Sequence, residues 1–232
     1  MLTLPDNARI LIYGDSNTFG WHELPDGKVI RYRVEDIWPY RLAGALGKRA
    51  VVEVDGLSGR TSAFDRPGAD GNGTGSIPGM LLNGATWLPA ALSKAMPLDL
   101  VIIMLGTNDF NAQLQKSPQE AAQGVVRLID IVRDCSWRSA TGYKTPDILV
   151  LAPAPLNVAG GPNEKYFPGG QRSSEVFASV LEPVVRERGA FFFDVSTCIA
   201  HAHDTDGVHF SEEDHRILAA KLAEFLLADG SR

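Results

Sequence analysis

Leu100-Val101-Ile102-Ile103-Met104 is an unbroken run of apolar, mostly β-branched residues. A short run of this kind reads as a strand covered on both faces. Similar short runs recur at Ile10–Tyr13, Val51–Val54, Ile148–Leu151 and Ala190–Phe193. Between them lie helix-forming stretches: Asp36–Leu46, Asn83–Ala95, Ser117–Asp134, Ser173–Arg188 and a last helix opening at Ser211. Asn83 is placed as an N-cap, Ser117-Pro118-Gln119-Glu120 reads as a capping box with Pro at the first helical position, and acids fill the turn after Ser211. Pro39 is tolerated near a helix start, whereas Pro183 should kink its helix or mark a late start. Strand and helix alternating in this way predict a parallel sheet with helices on both faces, in one α/β domain spanning residues 1–232.

Ligands of such sheets bind outside the carboxyl ends of the strands. Gly14-Asp15-Ser16-Asn17-Thr18 follows the first strand directly and sets a hydroxyl at that edge. A helix starting at Ser16 would aim free backbone N–H groups at an oxyanion. Leu57-Ser58-Gly59-Arg60-Thr61 follows the second strand, and Gly59 can offer an N–H with no side chain in the way. Leu105-Gly106-Thr107-Asn108-Asp109 follows the central strand, and Asn108 brings an amide donor that does not titrate. Asp206-Gly207-Val208-His209 precedes the last helix. There a carboxylate across a tight turn can hold the Nδ1–H of His209 and leave Nε2 to take a serine proton. Taken singly, these groups also fit as caps, turns or a surface loop. Their convergence on one sheet edge favours a hydrolase.

Together the Gly14-Asp15-Ser16, Gly59, Gly106-Thr107-Asn108-Asp109 and Asp206-Gly207-Val208-His209 blocks resemble those of the SGNH (GDSL-type) hydrolases, in order and across almost the whole chain. The resemblance implies a three-layer α/β/α sandwich around a flavodoxin-like five-stranded parallel sheet. It implies a Ser16–His209–Asp206 triad, and an oxyanion hole from the Ser16 N–H, the Gly59 N–H and the Asn108 amide. The mechanism needs no metal or organic cofactor. The stretches 97–109, 82–89 and 56–61 are similar to the bacterial arylesterase and acyltransferase, or perhydrolase, branch. A relative there carries Ala where this chain has Gly59, which keeps the N–H, and Asn17 and Phe19 also depart from the pattern.

That branch implies an esterase of small aryl or alkyl, short-acyl esters with acyl-transfer activity, and a homo-oligomer, up to an octamer. A carbohydrate acetylesterase is the alternative, and a noncatalytic binding module a further one. Asp15, Trp21, Thr107 and Phe167 are candidates for the substrate pocket. The long segments Asp55–Leu82, rich in Gly, and Ala152–Arg172, with four prolines, read as binding loops or subunit contacts. Trp21, Phe19, Pro153 and Pro155 would put apolar groups near Ser16.

Other features set limits. A net charge of −6 with no basic run disfavours nucleic acid and anionic membranes. Cys135 and Cys198 imply no disulfide framework and read as inert small hydrophobes. The first residues lack a basic and an apolar signal region, and no apolar run approaches a membrane span, so the expected location is cytoplasmic. His201-Ala202-His203-Asp204 alternates in a way that could ligate a metal, but Asp206 and His209 already have roles in the triad. His22 and His215 read as surface residues, and Trp87 as a packing residue.

Overall fold

The computed structural model describes residues 2–24, 26–67, 77–135 and 141–228. The chain runs β1 (Ala8–Gly14), α1 (Ser16–Phe19), β2 (Trp21–Glu23), β3 (Val29–Arg31), α2 (Trp38–Leu46), β4 (Ala50–Gly56), α3 (Gly84–Ala95), β5 (Leu100–Met104), α4 (Pro118–Asp134), β6 (Asp147–Ala152), α5 (Gly170–Glu187), β7 (Phe191–Asp194) and α6 (Glu212–Leu227). Five strands form one sheet in the order β4-β1-β5-β6-β7, and every pairing is parallel. This is the flavodoxin-like order, with a topological switch point between β1 and β5.

Alternation along the strands builds the two cores. Leu11, Tyr13, Val101, Ile103 and Val150 pack with α3, α4 and α5 on one face. Ile10, Ile12, Leu100, Ile102, Leu149 and Leu151 pack with α2 and α6 on the other. Both sides of β5 are fully buried, as its unbroken apolar run requires. The Asn83 side chain accepts from the N–H groups of Ala85 and Thr86, and reciprocal capping boxes open α4 at Ser117/Glu120 and α6 at Ser211/Asp214.

Three elements differ from the sequence expectation. Val34–Asp36 is a separate 3₁₀ turn, and α2 begins only at Trp38, with Pro39 in its first turn. Helix α5 starts at Gly170 and runs through Pro183 to Glu187. Ser179, whose carbonyl loses its partner to Pro183, is exposed, so water can take that hydrogen bond. The antiparallel hairpin β2–β3 was not foreseen; three-residue strands leave too little alternation to read. The Gly-rich centre of the first long segment, residues 68–76, lies outside the described residues.

Register places the site. Gly14 pairs with Gly56 and with Met104, so the turns after β1, β4 and β5 emerge side by side at the carboxyl edge. No helix among the described residues is long and apolar enough to cross a membrane.

Candidate active site

Asp15 follows β1 and caps α1, accepting the Asn17 N–H at 3.0 Å. Ser16 is therefore the first residue of a helical turn at the switch point. Its Oγ lies 2.9 Å from His209 Nε2. On the other side of the ring, Nδ1–H donates to Asp206 Oδ2. Asp206 Oδ1 accepts the backbone N–H groups of Val208 and His209 at 2.8 and 2.9 Å. Gly207 makes this tight turn possible: its φ is +70°, and a Cβ there would stand 2.1 Å from the Asn157 carbonyl oxygen.

Burial alone would raise the Asp206 carboxyl. The His209 hydrogen bond and charge, with the two backbone donors, outweigh it and hold Asp206 below the ordinary carboxylate range. Asp206 thus stays ionised, able to fix the imidazole tautomer and to balance an imidazolium.

Gly59 and Asn108 line the same cavity as Ser16. Gly59 has φ +81°, a conformation that suits glycine. Asn108 sits in a 3₁₀ turn after β5, and its Nδ2 donates to the Arg60 carbonyl at 3.1 Å. Beneath them lies a buried polar layer. Arg60 donates to Gly14 O and Asp55 O, pairs with Asp55 Oδ1 at 2.6 Å, and stacks over Tyr13. Asp109 accepts from Ser62 N and Oγ at 2.9 and 2.5 Å, tying the loop after β4 to the turn after β5. Burial pushes Asp15 up to about 6 and Asp109 up to about 7, the charge of Asp15 adding to the latter.

The cavity measures about 370 Å³. Its walls include Trp21, Phe167, Tyr166 and Val208, with Glu23, Arg66, Asn111, Gln113 and Asn163 as polar lining. Two pocket assignments need correction. Asp15 and Thr107 are buried but do not line the cavity: Asp15 turns inward to cap α1, and Thr107 starts the 3₁₀ turn behind Asn108. Phe19, Pro153 and Pro155 do not line it either. Phe19 sits under the Arg31 guanidinium, and the apolar walls come from Trp21, Tyr166 and Phe167. Tyr166 and Asn163 were missed within the second long segment; their neighbour Phe167 was the available signal.

Two histidines are also corrected. His215 is fully buried, accepts from Trp38 N–H, and is pushed down to about 3 by burial, with Arg41 and two histidines adding. His22 is partly buried on β2, where its Nδ1 meets Asp204 Oδ2 at 2.8 Å. Trp87 is substantially exposed rather than packed. Within the stretch 201–204, His203 pairs with Asp214 and Asp204 with His22, so these two side chains turn to different partners. Among the described residues, no group of three or more His, Cys, Asp or Glu is arranged to hold a metal ion.

A parallel α/β sheet with a serine, a histidine and a carboxylate in line at its switch point has the layout of an α/β hydrolase. The chain belongs to the GDSL-like lipase/acylhydrolase family, whose sequence model matches residues 12–217. It is similar to the structure of Est24, a carbohydrate acetylesterase from Sinorhizobium meliloti, with 34% identity over 96% of this chain and 99% of that one and a TM-score of 0.85. It is equally similar in fold to the native aryl esterase of M. smegmatis, at 36% identity, 94% and 97% coverage and a TM-score of 0.85. A curated relative, the acetylxylan esterase of Xylanibacter ruminicola, is 26% identical over 231 residues. That match covers 96% of this chain and 43% of the relative, so the chain spans less than half of that protein's length.

Proposed function

We propose that this protein is a serine esterase that cleaves small carboxylic esters through an acyl-Ser16 intermediate and also passes the acyl group to alcohols. The observation that carries the reading is the continuous Ser16–His209–Asp206 hydrogen-bond line opening into a cavity. In this mechanism His209 Nε2 takes the Ser16 proton as Oγ attacks the ester carbonyl. Asp206 steadies the imidazolium that forms. The N–H groups of Ser16 and Gly59 and the Asn108 amide stabilise the oxyanion, each such donor being worth about 10²–10³ in rate. His209 then protonates the departing alcohol, and water or a second alcohol attacks the acyl group with His209 again as base.

A carbohydrate acetylesterase is the second reading. The polar lining at Asn111, Gln113 and Asn163 favours it, as does the similarity to Est24. Initial rates on a panel of nitrophenyl esters and acetylated sugars, with His209→Ala as background, decide between the two. Acetylated sugars turned over faster than every aryl ester would replace the first reading by the second.

We further propose a closed homo-oligomer in a cytoplasmic setting, with no nucleic acid or membrane partner. Exposed Met80, Leu81 and Trp87, at and after the first long segment, supply apolar contact surface. Light scattering showing a monomer at micromolar concentration would remove that assembly.

A further inference from the structure

Asn17 follows Ser16 directly and is 3% exposed. Its side-chain amide grips the chain on both sides of His209. The Phe210 N–H donates to Asn17 Oδ1 at 2.9 Å, and Asn17 Nδ2 donates to the Val208 carbonyl at 3.2 Å. One side chain so makes the donor–acceptor pair that a neighbouring strand would make. Its own backbone is anchored in turn. The Asn17 N–H donates to Asp15 Oδ1, and its carbonyl accepts from Nε1 of the fully buried Trp38 at 3.1 Å.

We propose that Asn17 is a positioning residue that registers the His209 backbone against the Ser16 turn, so that Nε2 stands within reach of Oγ before substrate arrives. The inference rests on the serine mechanism above. His209 is then held from two directions: Asp206 fixes the ring through Nδ1 and the backbone through the His209 N–H, while Asn17 fixes the residues to either side. Ser16 and His209 are far apart in sequence, and Asn17 joins their two turns through buried, short-range bonds. The fourth letter of the GDSL signature is leucine, which has neither donor nor acceptor. In this chain a leucine would leave the Phe210 N–H and the Val208 carbonyl without these buried partners.

Asn17→Leu removes both bonds. Asn17→Asp is nearly isosteric and, ionised, keeps the acceptor for Phe210 N–H while setting a carboxylate against the Val208 carbonyl. The readouts are kcat, KM and the second-order rate at which a fluorophosphonate inactivates the enzyme. That last reaction needs the Ser16–His209 pair but not the ester pocket. Thermal melting supplies the folded fraction to which rates are normalised. A misplacement near 1 Å costs about 10²-fold in rate, so Asn17→Leu should lower kcat by about 10- to 100-fold and leave KM within about threefold. Fluorophosphonate inactivation should slow by a similar factor, with Asn17→Asp in between.

Inactivation of Asn17→Leu at the wild-type rate overturns the proposal; where that variant does not fold, the same result for Asn17→Asp does so. Failure of the underlying mechanism looks different, because Ser16→Ala would then retain turnover. An inert Ser16→Ala beside a fully reactive Asn17→Leu rejects only the role of Asn17.

Discussion

Trp21 lies along the imidazole of His209, with ring centroids 5.7 Å apart and planes within 28° of parallel. Two contacts hold the hairpin that carries it against the loop before His209: His22 with Asp204, and Thr205 Oγ donating to the Glu23 carbonyl at 2.9 Å. Trp21 is at once a wall of the cavity and a cover over the catalytic base proposed here.

Trp21→Ala should therefore enlarge the space beside Ser16. A pocket discriminates about 10-fold or more per methylene when it fits closely. The ratio of kcat/KM for a nitrophenyl octanoate to that for the acetate should rise by at least about tenfold on the same ground. An unchanged ratio would place the acyl chain elsewhere.

The acyl transfer proposed above would draw on the walls formed by Trp21, Tyr166, Phe167 and Val208. An apolar alcohol gains from burial there and water does not. With a vinyl ester and benzyl alcohol in mostly aqueous buffer, the benzyl ester should accumulate above a no-enzyme control. Free acid alone would make this a plain esterase.

Much of this layout was legible beforehand because it is local. Short apolar runs placed the strands, Asn83 and Ser117 marked helix starts, and the Asp-x-x-His spacing brought Asp206 to the ring of His209 by a single tight turn. What was not legible depends on partners distant in sequence. His215 lies in the last helix beneath Tyr32 and Phe210, and nothing in its own neighbourhood signals burial. Asp15 looked available to substrate until its cap to Asn17 turned it inward. The hairpin β2–β3 escaped for want of length, and Asn17 because its partners lie 191 and 193 residues away.

Arg60 clamps the ends of β1 and β4 beneath the proposed oxyanion hole, and it is 1% exposed. Arg60→Met keeps the volume and removes the donors to Gly14 and Asp55. Asp55 keeps some solvent contact, so the loss is that of the buried donors, about 1–3 kcal/mol. The urea midpoint should fall accordingly, with activity lost alongside as the Gly59 loop loosens. A midpoint at the wild-type value would show that the clamp carries no load.

The raised carboxyl of Asp109 has a definite sign in the stability of the fold. Its folded value, about 7, exceeds the ordinary 3.8, so the folded state holds the proton more tightly. That contribution is complete below about pH 4 and disappears as pH rises through about 7. His215 works in the opposite sense: its value is depressed to about 3, so the stability it lends is present above about 6.5 and is lost on acidification. Asp109→Asn removes the first effect and leaves the second. Its melting temperature at pH 8 relative to pH 5 should exceed the corresponding wild-type difference. Equal differences in the two proteins would mean that Asp109 does not titrate across that range.

The central claim is that Ser16 is the nucleophile, and the kcat/KM of Ser16→Ala on 4-nitrophenyl acetate tests it most directly. The change removes one hydroxyl oxygen and leaves a methyl side chain, so circular dichroism and melting temperature should match the wild type. Turnover should fall by about 10³-fold or more. A folded Ser16→Ala protein retaining activity within tenfold of the wild type would contradict the account.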